Sequence, residues 1–181
     1  MRKANLGVWL VLMLGLLAGS PSALFGQGDF ESLTGKAFDS ATAPGKDFYF
    51  YLEGNAIPAQ ERNAALLKTP AGARVLLGLL DTTGYSSQIR QKYIGMLITE
   101  GKLDVCGESV GVGSYGFGLD KPAPTSDEDA KFLLYNQAGE KLLECSSKKD
   151  TQIKLPKPLR VVLIKGAPAR LYLGRYWLEL K

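Results

Sequence analysis

Residues 107–118, GESVGVGSYGFG, put five glycines into twelve positions. A glycine inside a helix costs about 1 kcal/mol relative to alanine, so this stretch cannot sustain a helix. Gly107, Ser109, Gly111 and Gly113 recur at a period of two, with Val110 and Val112 between them. That is the period of a strand with one nearly bare face. Tyr115, Phe117 and Leu119 then carry the alternation on, with Gly116 and Gly118 opposite. The phase slips between the two sets, which places a bulge or tight turn at Gly113-Ser114. A bare face lets a backbone or a large ring come close. The expected use is internal, with Trp177 or Phe50 lying across the glycines. The competing use is a shallow ligand groove floored by Gly111 and Gly113.

The same stretch matches two enzyme patterns, and both fail on chemistry. Gly111 to Gly116 fits Gly-x-Gly-x-x-Gly, but a dinucleotide turn needs a helix opening on the last glycine. Phe117-Gly118-Leu119-Asp120-Lys121-Pro122 cannot start one. Gly107 to Gly111 fits Gly-x-Ser-x-Gly, but a serine nucleophile of that kind needs a histidine base. The chain contains no histidine. That zero excludes Ser-His-Asp and Cys-His catalysis, histidine-ligated zinc and histidine-held haem. A lysine base is the exception, and Ser146 with Lys149 supplies a Ser-x-x-Lys spacing inside a lysine-rich loop. No metal site or cofactor is expected. Asp127-Glu128-Asp129 lacks the spacing of a calcium loop and reads as a solvated acidic segment.

Elsewhere, short apolar runs alternate with turn signals. Phe48 to Leu52 is an aromatic strand. Pro58 argues against a central strand through its position. Ala64 to Thr69 and Ala73 to Asp81 are strand candidates, with helix the rival over 60–68. Ser87 to Lys92 reads as a short helix capped by Ser86 or Ser87, followed by a hairpin, Ile94 to Thr99 and Lys102 to Cys106, turning at Glu100-Gly101. Helix and strand compete over 87–97 and again over 127–137. For the latter, two strands joined by Asn136-Gln137-Ala138-Gly139 are favoured. A last hairpin, Arg160 to Lys165 and Ala169 to Leu180, turns at Gly166-Ala167-Pro168. The expected fold is mostly β, an antiparallel β-sandwich or small β-barrel with at most one or two short helices. No internal repeat occurs.

The N-terminus has the anatomy of a secretory signal peptide. Arg2 and Lys3 precede an uncharged apolar run, Leu6 to Ala18, and then Gly19-Ser20-Pro21-Ser22-Ala23. The run is shorter than the roughly 20 residues of a spanning helix, so no stable membrane span is expected after cleavage. Residues 1–26 are assigned to the signal, with cleavage between 20 and 27. Residues 27–46 form an irregular segment, and 47–181 a single β-rich domain. Leu17 to Ser20 resembles a bacterial lipidation signal, but Ser20 stands where the lipidated cysteine would be. The formal charge of +4 falls to +2 without Arg2 and Lys3, which does not suit nucleic acid. Lys148-Lys149, with Lys141, Lys154 and Lys157 nearby, reads as a solvated face. The two cysteines, Cys106 and Cys145, are expected to form a disulfide in an oxidising compartment.

One aromatic stretch suggests a binding surface. Tyr172, Tyr176 and Trp177, with Arg170 and Arg175, are the residue types enriched at interfaces. Strand alternation through the segment puts Tyr172 and Tyr176 on one side and Arg175 and Trp177 on the other. Candidate ligand-binding residues are therefore Gly111, Gly113, Tyr172, Arg175, Tyr176 and Trp177. The expected function is an exported, non-catalytic β-domain, periplasmic or secreted, that binds another molecule or plays a structural role. Its partner would be a protein, a glycan or an apolar small molecule. The alternatives are a lipocalin-like small barrel carrying an apolar ligand, and a Ser-Lys hydrolase.

Overall fold

Two-residue turns with positive φ close two of the hairpins. Glu53 (φ 48°) and Gly54 (φ 75°) join Leu52 to Asn55, and Cys106 (φ 57°) and Gly107 (φ 90°) join Val105 to Glu108. Turns with positive φ at both central residues match the twist of antiparallel strands. The computed structural model describes residues 29–42 and 48–181. Its elements are β1 (Glu31–Leu33), α1 (Lys36–Thr42), β2 (Tyr49–Leu52), β3 (Asn55–Lys68), β4 (Arg74–Leu80), α2 (Ser87–Lys92) and β5 (Gly95–Thr99). They continue with β6 (Leu103–Val105), β7 (Glu108–Val110), β8 (Gly113–Asp120), β9 (Ala130–Tyr135) and β10 (Lys141–Lys149). The chain closes with β11 (Leu159–Val162), β12 (Ala169–Leu173) and β13 (Tyr176–Leu180). The signal-peptide assignment and its cleavage sites lie outside the described residues.

All pairings are antiparallel, in the order β1-β3-β4-β5-β8-β9-β10-β13-β12-β11. β2 adds to β3, and the β6–β7 hairpin joins β13 through Leu180 and Val105. The sheet curls into a half-barrel, and the mostly β expectation holds, with 51% of the described residues in strand and 9% in helix. Its core gathers Leu77, Leu97, Phe117 and Phe132 from one arm and Leu171, Leu178 and Leu180 from the other. Phe30 joins that core from the N-terminal segment. A second cluster, including Phe50, Leu52, Ile57, Ile89, Tyr93 and Met96, packs the β2–β3 hairpin and α2 against the opposite face of β4 and β5. Leu76 and Leu77 are both buried, as are Met96 and Leu97, each pair split between the two cores. Burial on both faces explains why β4 reads as a continuous apolar run. Each such side chain contributes about 1.5–3 kcal/mol.

Several local expectations are corrected. Residues 60–68 are strand, part of a β3 that starts at Asn55 and runs through Pro58. Proline is tolerated because Pro58, which pairs with Tyr49 of β2, turns its missing N–H the other way, toward Asp81, one residue past the end of β4 at Leu80. The Pro58 carbonyl still accepts from Asp81 N (2.8 Å). The hairpin expected between 94–99 and 102–106 does not form. β5 is flanked by β4 and β8, and β6 pairs with β7 and β13. Residues 169–180 are two strands, split at Gly174-Arg175. The segment 27–46, expected to be irregular, contains β1 and α1. The glycine stretch is likewise two strands, broken at Gly111-Val112 rather than bent at Gly113-Ser114. The helix at 87–92 forms as expected, with Ser86 Oγ accepting from Ile89 N (3.3 Å). The 130–135 strand forms too, paired with β10.

Candidate functional site

The C-terminal meander assembles a row of side chains that are far apart in sequence. Alternation turns Leu159, Leu171, Leu173, Leu178 and Leu180 into the core, so Arg160, Arg170, Tyr172, Trp177 and Glu179 take the outer face. Register then aligns Arg160 with Tyr172, Tyr172 with Trp177, and Trp177 with Lys148. The rings of Tyr172 and Trp177 lie 6.3 Å apart at 33°. Arg170 stacks 4.1 Å from the Trp177 ring centre, and Lys148 approaches the same ring at 5.3 Å. Arg160 lies 5.0 Å from the Tyr172 ring. Tyr172 is buried beneath this layer, and Trp177 is partly exposed. Cation–π contacts of this kind contribute about 0.5–1 kcal/mol each at exposed sites.

The cations of this face make no close ion pair, although Glu179 stands opposite Arg170 in the register. Among the described residues, no carboxylate lies within 4.0 Å of Lys148, Arg160 or Arg170. The two carboxylates nearby are engaged. Glu179 pairs with Lys181 (3.6 Å), and Asp150 accepts from the Tyr172 hydroxyl (3.1 Å). Stacking uses the flat face of a guanidinium and leaves its in-plane N–H donors for a ligand. Beside Trp177, a cleft of about 240 Å³ is lined by Lys148, Lys181, Ser146 and Gly107.

Of the residues expected here, Tyr172 and Trp177 come together, on the same face rather than opposite ones. The turn at Gly174-Arg175 reverses the chain, so antiparallel pairing replaces the alternation of one long strand. The same turn removes Arg175 from the row, and its side chain donates to the Lys154 carbonyl (3.4 Å). Tyr176 shares the inner-facing side of β13 with Leu178 and Leu180 and pairs with Lys149. Arg160 was missed. Its signal is Leu159 inward and Arg160 outward at the start of β11, which has meaning only once β11 is paired with β12.

The glycine site divides. Gly111 is exposed and lines a cleft of about 490 Å³ with Glu108, Tyr115 and Leu142. The Tyr115 hydroxyl donates to the Gly111 carbonyl (3.0 Å). A Cβ at Gly111 would meet only that hydroxyl, at 4.0 Å, whereas one at Gly113 would fall 2.9 Å from it. Close packing falls instead on Gly116 and Gly118. A Cβ at Gly116 would lie 2.8 Å from the Tyr93 ring, and one at Gly118 would lie 2.3 Å from the Lys92 carbonyl. The ring across the glycines is thus Tyr93, not Trp177 or Phe50.

The enzyme patterns acquire ordinary roles. Ser109 lies within the β6–β7 hairpin opposite Asp104, and Gly113–Asp120 is strand. Ser146 and Lys149 are three apart on β10 and so face opposite sides. Ser146 Oγ donates to Asp129 (3.0 Å), while Lys149 Nζ donates to the Ser126 carbonyl (2.6 Å) and Asp127 (3.0 Å). Cys106 and Cys145 are bonded, with Cα atoms 6.4 Å apart, tying the β6–β7 turn to β10.

A second polar cluster joins three turns. Glu53 Oε1 accepts from Lys92 Nζ (2.5 Å) and from the Tyr93 hydroxyl (2.5 Å). Lys92 also donates to the Gly139 carbonyl (2.7 Å) and lies 4.9 Å from the Tyr135 ring. The hydrogen bond from Lys92, then that from Tyr93, holds the Glu53 carboxyl below its usual range. Burial, and then the bond to Glu53, push the Tyr93 phenol up. Both groups are thereby fixed in their ordinary neutral-pH forms. No family model, curated protein or solved structure matches this chain.

Proposed function

We propose that this chain is an exported, non-catalytic β-domain that binds another molecule in the cell envelope or outside the cell through the outer face of β10–β13. The observation that carries this reading is a set of three cations, Lys148, Arg160 and Arg170, that stack on Tyr172 and Trp177 rather than forming close ion pairs among the described residues. Three charges held by rings, whose side chains donate no hydrogen bond among the described residues, suit an external anion better than internal pairing. The Cys106–Cys145 disulfide fits an oxidising compartment. Among the described residues, no helix is long and apolar enough to cross a membrane. The apolar-carrier alternative has less support. Phe117, Phe132, Leu134 and Leu171 fill the concave face, and the clefts at Gly111 and Trp177 are open to solvent.

Fractionation of expressing cells tests the reading. The protein should be recovered outside the cytoplasm, with a portion retained on the envelope at low salt and released at high salt, because charge contacts are screened. Arg160→Gln combined with Arg170→Gln should abolish that salt-sensitive retention. A cytoplasmic location, or equal retention of the variant, overturns the proposal.

A further inference from the structure

We infer that the ligand of this face is a linear polyanionic glycan, its sugar units bearing carboxylate or sulfate groups, laid across strands β10, β13, β12 and β11. This rests on the proposal that the face is a binding surface. The first argument is the spacing of charge. Lys148 and Arg160 stand at opposite ends of the row, three strand spacings apart, or about 14 Å. Arg170 lies two residues along β12 from Tyr172, about 7 Å off the row. Cations that are spread out rather than convergent suit repeated, well-separated negative groups and not a single phosphate.

The second argument is what lies between the charges. Partly exposed Trp177 stands at the middle of the row with Arg170 and Lys148 against its ring, so a sugar unit would meet the part of the indole left exposed while its anionic group meets the two cations. The interspersed Glu179 and Asp150 disfavour a densely charged polymer. Duplex DNA places a charge every 1.7 Å or so along its axis, which would set phosphates against both carboxylates. An acidic peptide is disfavoured because extended peptides add to sheet edges through main-chain bonds. The Tyr172–Trp177 centre of the row lies on interior strands, each with neighbours on both sides. An anionic membrane surface is disfavoured because interfacial binding buries apolar side chains. The exposed large apolar residues, Tyr49, Tyr51, Val112, Leu142, Leu155 and Leu163, include none of the row.

The chain has two tryptophans, Trp9 and Trp177, so a Trp9→Phe background leaves Trp177 as sole emitter. That protein is titrated with polygalacturonate fragments and with dextran sulfate, the two arms separating carboxylate from sulfate. Neutral dextran, polyglutamate, duplex DNA and phosphatidylglycerol vesicles are titrated in parallel. A saturable change in Trp177 emission with at least one anionic glycan is expected, absent with neutral dextran and weakened by salt. Arg160→Gln with Arg170→Gln should weaken binding at least tenfold, and the corresponding Arg→Lys pair should recover part of it. Unchanged melting temperatures would show that the variants are folded. The inference is overturned if neither glycan binds, or if the double Gln variant binds equally well. It is also overturned if polyglutamate, DNA or vesicles bind as tightly. Glycan failure alongside lost envelope retention in the double variant would leave the binding face standing and remove only the ligand class.

Discussion

Gly111 and Gly116 are five residues apart in one glycine-rich stretch and meet opposite environments. Gly116 is buried against the Tyr93 ring and Leu52, and a Cβ there would come within 2.9 Å of both. At Gly118 the obstacle is the Lys92 carbonyl, which cannot swing aside as a side chain can. Overpacking costs about 1–3 kcal/mol, and the strand preference of valine returns at most about 1 kcal/mol. Gly116→Val and Gly118→Ala should therefore each lower stability, by up to about 2 kcal/mol, in denaturant melts. Gly111→Val adds its methyls at an open position and should stay within about 0.5 kcal/mol of the parent. Equal losses at Gly111 and Gly116 would mean that the bare face is packed along its whole length.

At the scale of elements, Glu53 links the β2–β3 turn to Lys92 and Tyr93 at the end of α2, and Lys92 reaches the β9–β10 turn. Glu53 is held below the ordinary carboxyl value, first by the Lys92 hydrogen bond. Its contribution is thus complete above the unfolded pKa of about 4.3 and is lost as pH falls through the folded value. Tyr93 is raised, chiefly by burial. Its contribution is complete below about pH 10 and is lost as pH rises through the folded value. Glu53→Gln should cost about 1 kcal/mol at pH 7, and the gap from the parent should close below about pH 4. Tyr93→Phe should flatten the alkaline fall in stability. Parallel pH curves for parent and Glu53→Gln would show that the cluster does not act as a clamp.

For the whole molecule, the disulfide restrains how the β6–β7 hairpin sits beside the binding face. Cys106 and Cys145 are 39 residues apart, and such a loop is worth about 4 kcal/mol in the chain-entropy model. The bond connects the β6–β7 turn, which hangs on β13, to β10, which also pairs with β13. Denatured, unreduced protein should contain no titratable thiol. Cys106→Ala with Cys145→Ala should lower the unfolding free energy by up to about 4 kcal/mol. Two titratable thiols, or an unchanged melting curve in the variant, would contradict this.

The amino-acid order by itself determined what is local. Period-two alternation and turn residues specified a mostly β chain and the pairing of its two cysteines, and favoured without fixing the helix at 87–92 and the strand at 130–135. The missing histidine removed whole classes of chemistry before any fold was known. Tertiary structure alone decided which strands became neighbours. The hairpin expected at Glu100-Gly101 does not form because β5 is taken up between β4 and β8, while β6 pairs with the adjacent β7 and, at Val105, with Leu180 of β13. Pro58 was read as a strand breaker, yet β4 simply ends where its N–H would have been needed. The candidate face is the clearest case. Tyr172 and Trp177 were visible as aromatics, but their union with Arg160 and Lys148 depends on a reversal at Gly174 and on the registers of four strands. Register is a cooperative outcome of core burial across the whole sheet, so no local stretch of sequence encodes it.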